Sequence, residues 1–123
     1  MKPPEHAFAV IRVVAKAGAL QRVAGRMNKT EAAYAALLEA RRVRGDVAEW
    51  HYEALTLKLA DDTRYTPDFL IVLADGTVEL HEVKGFYRDD AKVKAKVCAR
   101  MFPFTVRLAR LMRGSWQIEQ VAP

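Results

Sequence analysis

The chain has 123 residues, 51% of them hydrophobic and 28% charged, with a formal charge of +5. That is one domain with enough apolar mass for its own core. A single cysteine, Cys98, excludes an internal disulfide and suits a reducing cytoplasm, while the scattered His6, His51 and His81 exclude a zinc-finger pattern.

In chain order, the first stretch is MKPPEHAFAVIRVVAKAGAL. Arg12 and Lys16 interrupt its apolar residues, so it holds neither a membrane span of about 18 residues nor a signal-peptide core. Residues 5–17 fit a helix through Phe8, Ile11 and Val14, and a strand through their β-branched content; the helical reading is preferred. Residues 1–27 form an N-terminal segment, suited to an interface or a contact arm, ahead of a core domain at 28–123. The spacing predicts a helix over 29–44, KTEAAYAALLEARRVR. Asn28 caps it, Glu31 completes a capping box and Gly45 stops it. Tyr34, Leu37, Leu38 and Arg41 share one side.

Residues 49–59 alternate as one strand, with His51, Glu53, Leu55, Leu57 and Leu59 on one face. Residues 65–73 and 77–84 make a hairpin. Residues 90–101 make a second helix, closed by Pro103. On it, Lys92, Lys96 and Arg100 recur every four residues beside an apolar stripe of Val93, Val97 and Met101, and Cys98 is a small core residue. Strands follow at 104–111 and, after Gly114 and Ser115, in WQIEQV. This order is α+β: a mixed sheet of four to five strands flanked by helices, with the strand after the second helix parallel to the one before it. There is no internal repeat and no low-complexity segment.

The hairpin YTPDFLIVLADGTVELHEVKG carries Asp68, Glu82 and Lys84 in otherwise apolar surroundings. A two-residue Asp75-Gly76 loop would place Asp68 opposite Val83, and the two acids would point to opposite faces. A three-residue Ala74-Asp75-Gly76 loop, with Gly76 in the left-handed conformation, places Asp68 directly opposite Glu82, with Cβ atoms about 5 Å apart. Lys84 then lies on the same face. Two carboxylates about 4 Å apart repel by about 4 kcal/mol at an effective dielectric near 20. Lys84 offsets part of this, and a divalent cation offsets more. An Asp–Lys–Glu ion cluster without a ligand is the plainer reading, but it has no need of the second acid.

Pro67-Asp68 on one strand and Glu82-Val83-Lys84 on the next resembles the PD-(D/E)xK nuclease signature. Glu31 resembles the extra helical acid of many members. The resemblance spans about residues 28–104 and is nearest to small phage-encoded endonucleases, including junction-resolving types; the very short patch repair endonucleases have a similar layout. It implies a restriction-endonuclease-like core and a metal-dependent endonuclease acting on DNA, with branched or junction DNA among the candidate substrates. By the same resemblance Asp68, Glu82 and the Val83 carbonyl hold Mg²⁺, for which Mn²⁺ substitutes. Glu31 stands at the edge of the site, near a metal-bound water or a second metal, and Lys84 orients the attacking water. Arg88, Lys92, Lys96 and Arg100, extended by Lys94, form a phosphate track. A phage-encoded member acts in a bacterial cytoplasm, and cutting two strands calls for a homodimer. His81 points away from Glu82 and is structural, and Trp50 and Trp116 are packing residues. The rival readings are a non-catalytic nucleic-acid-binding module and a protein-interaction domain.

Overall fold

The computed structural model describes residues 27–84 and 89–122. The helix expected over 5–17, the N-terminal arm, Gly85 and Arg88 lie outside them. Helix α1 (Lys29–Arg44) opens and closes as its ends dictate. The Asn28 side chain accepts from the Glu31 N–H at 2.8 Å, and the Glu31 carboxylate accepts from the Asn28 N–H at 2.9 Å. These bonds satisfy two of the helix's orphan donors. Gly45, at φ 98°, turns the chain out and donates to the Arg41 and Arg42 carbonyls.

Strand β1 (Val47–Tyr52) follows, then a small hairpin of β2 (Leu57–Ala60) and β3 (Thr63–Tyr65), then β4 (Phe69–Leu73) and β5 (Val78–Lys84). Helix α2 (Asp89–Met101) leads to β6 (Thr105–Met112) and β7 (Ser115–Gln120). The main sheet has the order β1-β4-β5-β6-β7, with β5 and β6 parallel across α2 and the other pairs antiparallel. The fold is therefore the expected α+β arrangement on a mixed, five-stranded sheet.

Each face of the sheet carries its own core. Tyr34 and Leu38 of α1 pack on Phe69, Ile71 and Ala109. On the other face, Ala95 and Cys98 of α2 and Leu57 and Tyr65 of the small hairpin pack on Leu70, Leu80, Val106 and Leu108. Burial pushes the Cys98 thiol up to about 12, so it is an inert core group.

Three expectations need correction. The strand expected over 49–59 breaks at Glu53, which sits at φ 48°, and its second half belongs to the separate β2–β3 hairpin. The strand expected over 65–73 is interrupted before Phe69, because Pro67 cannot donate to a ladder. The Val93, Val97 and Met101 stripe faces outward; Val93 is 57% exposed. Helix α2 buries the small Ala95 and Cys98 instead, which lets its backbone lie close to the sheet.

The β4–β5 turn is the three-residue form. Leu73 N–H donates to the Thr77 carbonyl at 2.8 Å, Gly76 N–H to the Leu73 carbonyl at 2.9 Å, and Gly76 takes φ 89°. The Asp75 carboxylate accepts from the Thr77 N–H at 2.9 Å and fixes the loop. No atom stands within 4 Å of where a Gly76 Cβ would be, so only the backbone conformation requires glycine. Gly76→Ala should lower stability by about 1–2 kcal/mol in urea unfolding, the cost of holding an L-residue left-handed; an unchanged midpoint would show that the turn tolerates it.

Candidate functional site

The turn fixes everything downstream of it. Val72 faces Val78, Leu70 faces Leu80 and Phe69 faces His81, so the next step brings Asp68 opposite Glu82. Each carboxylate then reaches the other strand's backbone. Asp68 Oδ2 accepts from the Val83 N–H at 2.8 Å, and Glu82 Oε2 accepts from the Asp68 N–H at 3.3 Å. Glu82 and Lys84 are 7% and 6% exposed, alternate positions on the α2 face of β5.

Pro67 gives this corner a further property. The Leu73 N–H donates to the Thr77 carbonyl, and the ladder below it runs as far as Phe69 opposite His81, one step short of Asp68 and two short of Pro67. Residue 67 is proline and has no N–H to give. The Val83 N–H donates to the Asp68 carboxylate. A strand residue's N–H and C=O point to the same side, so the Val83 carbonyl points toward the β4 side, where Pro67 has no N–H to give it.

Burial raises the pKa of both acids. Asp68 is moderated by its bonds to Glu82 and the Val83 N–H, and Glu82 is pushed further up by Asp68 beside it. Glu31 also faces Asp68 and adds to the rise. Its Oε1 accepts from the Tyr52 hydroxyl at 3.0 Å as well as from the Asn28 N–H. The helix cap and the acid cluster thus share one carboxylate, and the structure brings Glu31, Asp68, Glu82 and Lys84 to one end of the sheet.

Three neighbours were not singled out from the sequence. Tyr52 holds Glu31, and burial followed by that carboxylate raises its pKa. The Tyr65 hydroxyl is buried, and burial and then Glu82 raise its pKa. The Glu53 N–H donates to the Asp68 carbonyl at 2.8 Å, which brings a further acid to the rim. Tyrosines in strands carry no signal of such a role. Glu53 was visible only as one member of an alternating face.

His81 faces away from the site, as expected. Its Nδ1 lies 2.6 Å from the Tyr34 hydroxyl and its Nε2 2.9 Å from Glu79, which Arg107 also bonds at 3.1 Å. Burial pushes Glu79 up, but the bonds from His81 and Arg107 hold it down at about 2. His51 is buried on the Leu70 side, 3.5 Å from Glu49. Trp50 donates to Glu39 at 3.0 Å, and Trp116 packs edge-on against Tyr34.

Of the expected phosphate track, Lys92 and Lys94 are half-buried, and Lys96 and Arg100 are exposed on α2. Among the described residues, no three His, Cys, Asp or Glu side chains form a ready-made metal cage, and no helix is long and apolar enough to cross a membrane. Magnesium commonly takes one or two carboxylates and completes its shell with water, so Asp68, Glu82 and the Val83 carbonyl are a chemically fitting donor set.

Comparison with curated proteins and with solved structures gives no match. Residues 27–119 match a family described as "Protein of unknown function (DUF1064)". The match runs from the cap of α1 through all but the last residue of β7, and the chain belongs to that family.

Proposed function

We propose that this protein is a metal-dependent endonuclease that hydrolyses phosphodiester bonds in DNA. The observation that carries the reading is the Asp68–Glu82 pair, the half-buried Asp68 set opposite the buried Glu82, with buried Lys84 on the same face as Glu82. Glu31 brings a third carboxyl group beside one lysine, an excess of acids over bases. An ion network alone does not account for that excess, since buried charges are kept where they are paired. The order of these residues also resembles the PD-(D/E)xK signature.

Asp68, Glu82 and the Val83 carbonyl would hold Mg²⁺ or Mn²⁺, with Glu31 at the edge. A bound divalent ion supplies charge neutralisation at the phosphate and a more acidic water. Lys84, held by the sheet, orients the attacking water and stabilises charge that develops on the phosphoryl oxygens. Asp68 and Glu82 would hold the ion as carboxylates. The water oxygen bonds to phosphorus as its proton passes to solvent, and the bond to the leaving sugar oxygen breaks as that oxygen takes a proton from solvent. Lys92, Lys96 and Arg100 hold flanking phosphates. Branched DNA is a substrate to test first, and a homodimer would supply two such centres for two strands.

The test is incubation with supercoiled, linear and four-way-junction DNA, with and without Mg²⁺. Metal-dependent cutting of at least one substrate is expected. Binding without cutting of any substrate would make the protein a nucleic-acid-binding module; neither binding nor cutting would remove nucleic acid from its function.

A further inference from the structure

We infer that the groove between α2 and the β6–β7 edge seats an unpaired DNA strand, with Arg110 holding the phosphate next to Lys84. The catalytic end of this inference rests on the nuclease reading; the groove itself does not.

The groove begins at the site. A cavity of about 250 Å³ opens beside Lys84 and is bounded by Arg110 and Gln117. A second cavity, of about 500 Å³, shares Leu108 and Glu119 with the first and runs on beneath α2. The parallel ladder sets Arg110 directly across from Lys84, and the next ladder sets Gln117 across from Arg110. These three side chains form a row across one face of the sheet, at strand spacings of about 4.8 Å.

The two walls differ. Lys92, Lys96 and Arg100 line the α2 side over about 12 Å of helix. Lys84 and Arg110 continue this cationic side toward the site, and Glu119 stands on the β7 side. The floor between them is aliphatic: Leu108 and Val121, both largely buried, with the exposed Val97 of α2 at its edge. A duplex keeps its bases stacked inside and presents mainly phosphates, so it has no use for such a floor. An unpaired strand meets all three surfaces. Its phosphates face the cationic wall, its bases lie on the aliphatic floor, and its base edges reach Gln117 and Glu119. Glutamine pairs bidentately with adenine, and a carboxylate accepts from an exocyclic amine. Glu119 also repels phosphates, which turns the strand's backbone toward α2.

Fluorescence anisotropy tests this with a labelled single-stranded DNA 12-mer and its duplex. EDTA is present, so no cutting occurs. The single strand is expected to bind about tenfold more tightly than the duplex. Arg110→Ala and the double variant Lys96→Ala/Arg100→Ala should each weaken single-strand binding about tenfold, and should flatten the log–log salt dependence by about 0.7 per cation removed. Arg42→Ala, on the opposite helix, should bind as wild type. A duplex that binds as tightly as the single strand would overturn the inference, as would groove variants that keep wild-type affinity and salt slope. If Arg110→Ala fails to melt as a folded protein, the α2 double variant decides. Loss of affinity in the groove variants, with no substrate ever cut, would leave the groove standing and remove the nuclease reading. Metal-dependent cutting with unaltered groove affinity would do the reverse.

Discussion

Glu82→Ala and Lys84→Ala are each expected to reduce metal-dependent cleavage by about 10²–10⁴-fold while the protein stays folded. Lys84 is 6% exposed, so its charge acts in a low dielectric, where a fixed cation is worth far more than in water. The two losses should not add, because both residues serve one centre. Lys84→Arg should not restore the rate, since a planar guanidinium cannot replace a compact ammonium at a packed position. Removing one partner from a buried charge cluster leaves the others uncompensated, so a lower melting temperature than wild type is expected for Lys84→Met, with the protein still folded at assay temperature. Single-turnover rates on the best-cut substrate check this. A Lys84→Ala variant that cuts in the same decade as wild type would exclude the lysine from the chemistry.

The second expectation concerns pH. Burial, and Asp68 beside it, push Glu82 up from 4.5 to about 9. The folded protein therefore holds a proton that the unfolded chain has released, and its stability is greatest below the unfolded value. Stability should fall as pH rises through this window, by up to about 1.4 kcal/mol per unit while the extra proton is held, and level off above about 9. Divalent metal should reverse the trend, because it binds the deprotonated acids and not the unfolded chain. Thermal melts at several pH values, with EDTA or Mg²⁺, read both effects. Mg²⁺ should raise the melting temperature more at pH 8 than at pH 6, and Glu82→Gln should remove both the slope and the metal response. A melting temperature indifferent to Mg²⁺ at every pH would exclude a metal site at this pair.

Local rules made parts of this legible in the sequence. Asn28 and Glu31 stand at cap spacing, and the cap formed. Ala74-Asp75-Gly76 has the chemistry of one turn type, and that turn fixes the pairing of Asp68 with Glu82. What stayed hidden depends on contacts between distant segments. Nothing in EWHYEALTLKL signals that Glu53 would turn left-handed, because its conformation is set where the chain leaves the sheet beside Asp68. The inward face of α2 was only partly legible, through Cys98, for a related reason. Periodicity favours the larger Val93, Val97 and Met101, but close packing on β6 and the small hairpin selects Ala95 and Cys98. The part of Tyr65 was invisible too, since it depends on the β2–β3 hairpin folding back over β5. Arg110 acquires its place beside Lys84 only through the parallel ladder.

Position 67 carries a consequence that side chains alone would not disclose. Any of the other nineteen amino acids there would carry a backbone N–H on the side to which the Val83 carbonyl, the one uncharged oxygen proposed to hold the ion, points. Such a replacement would alter no charge and no acid, and could leave the sheet better bonded than before. On the proposed reading the centre depends on a hydrogen atom that is missing, and a more complete sheet would hold the ion less well.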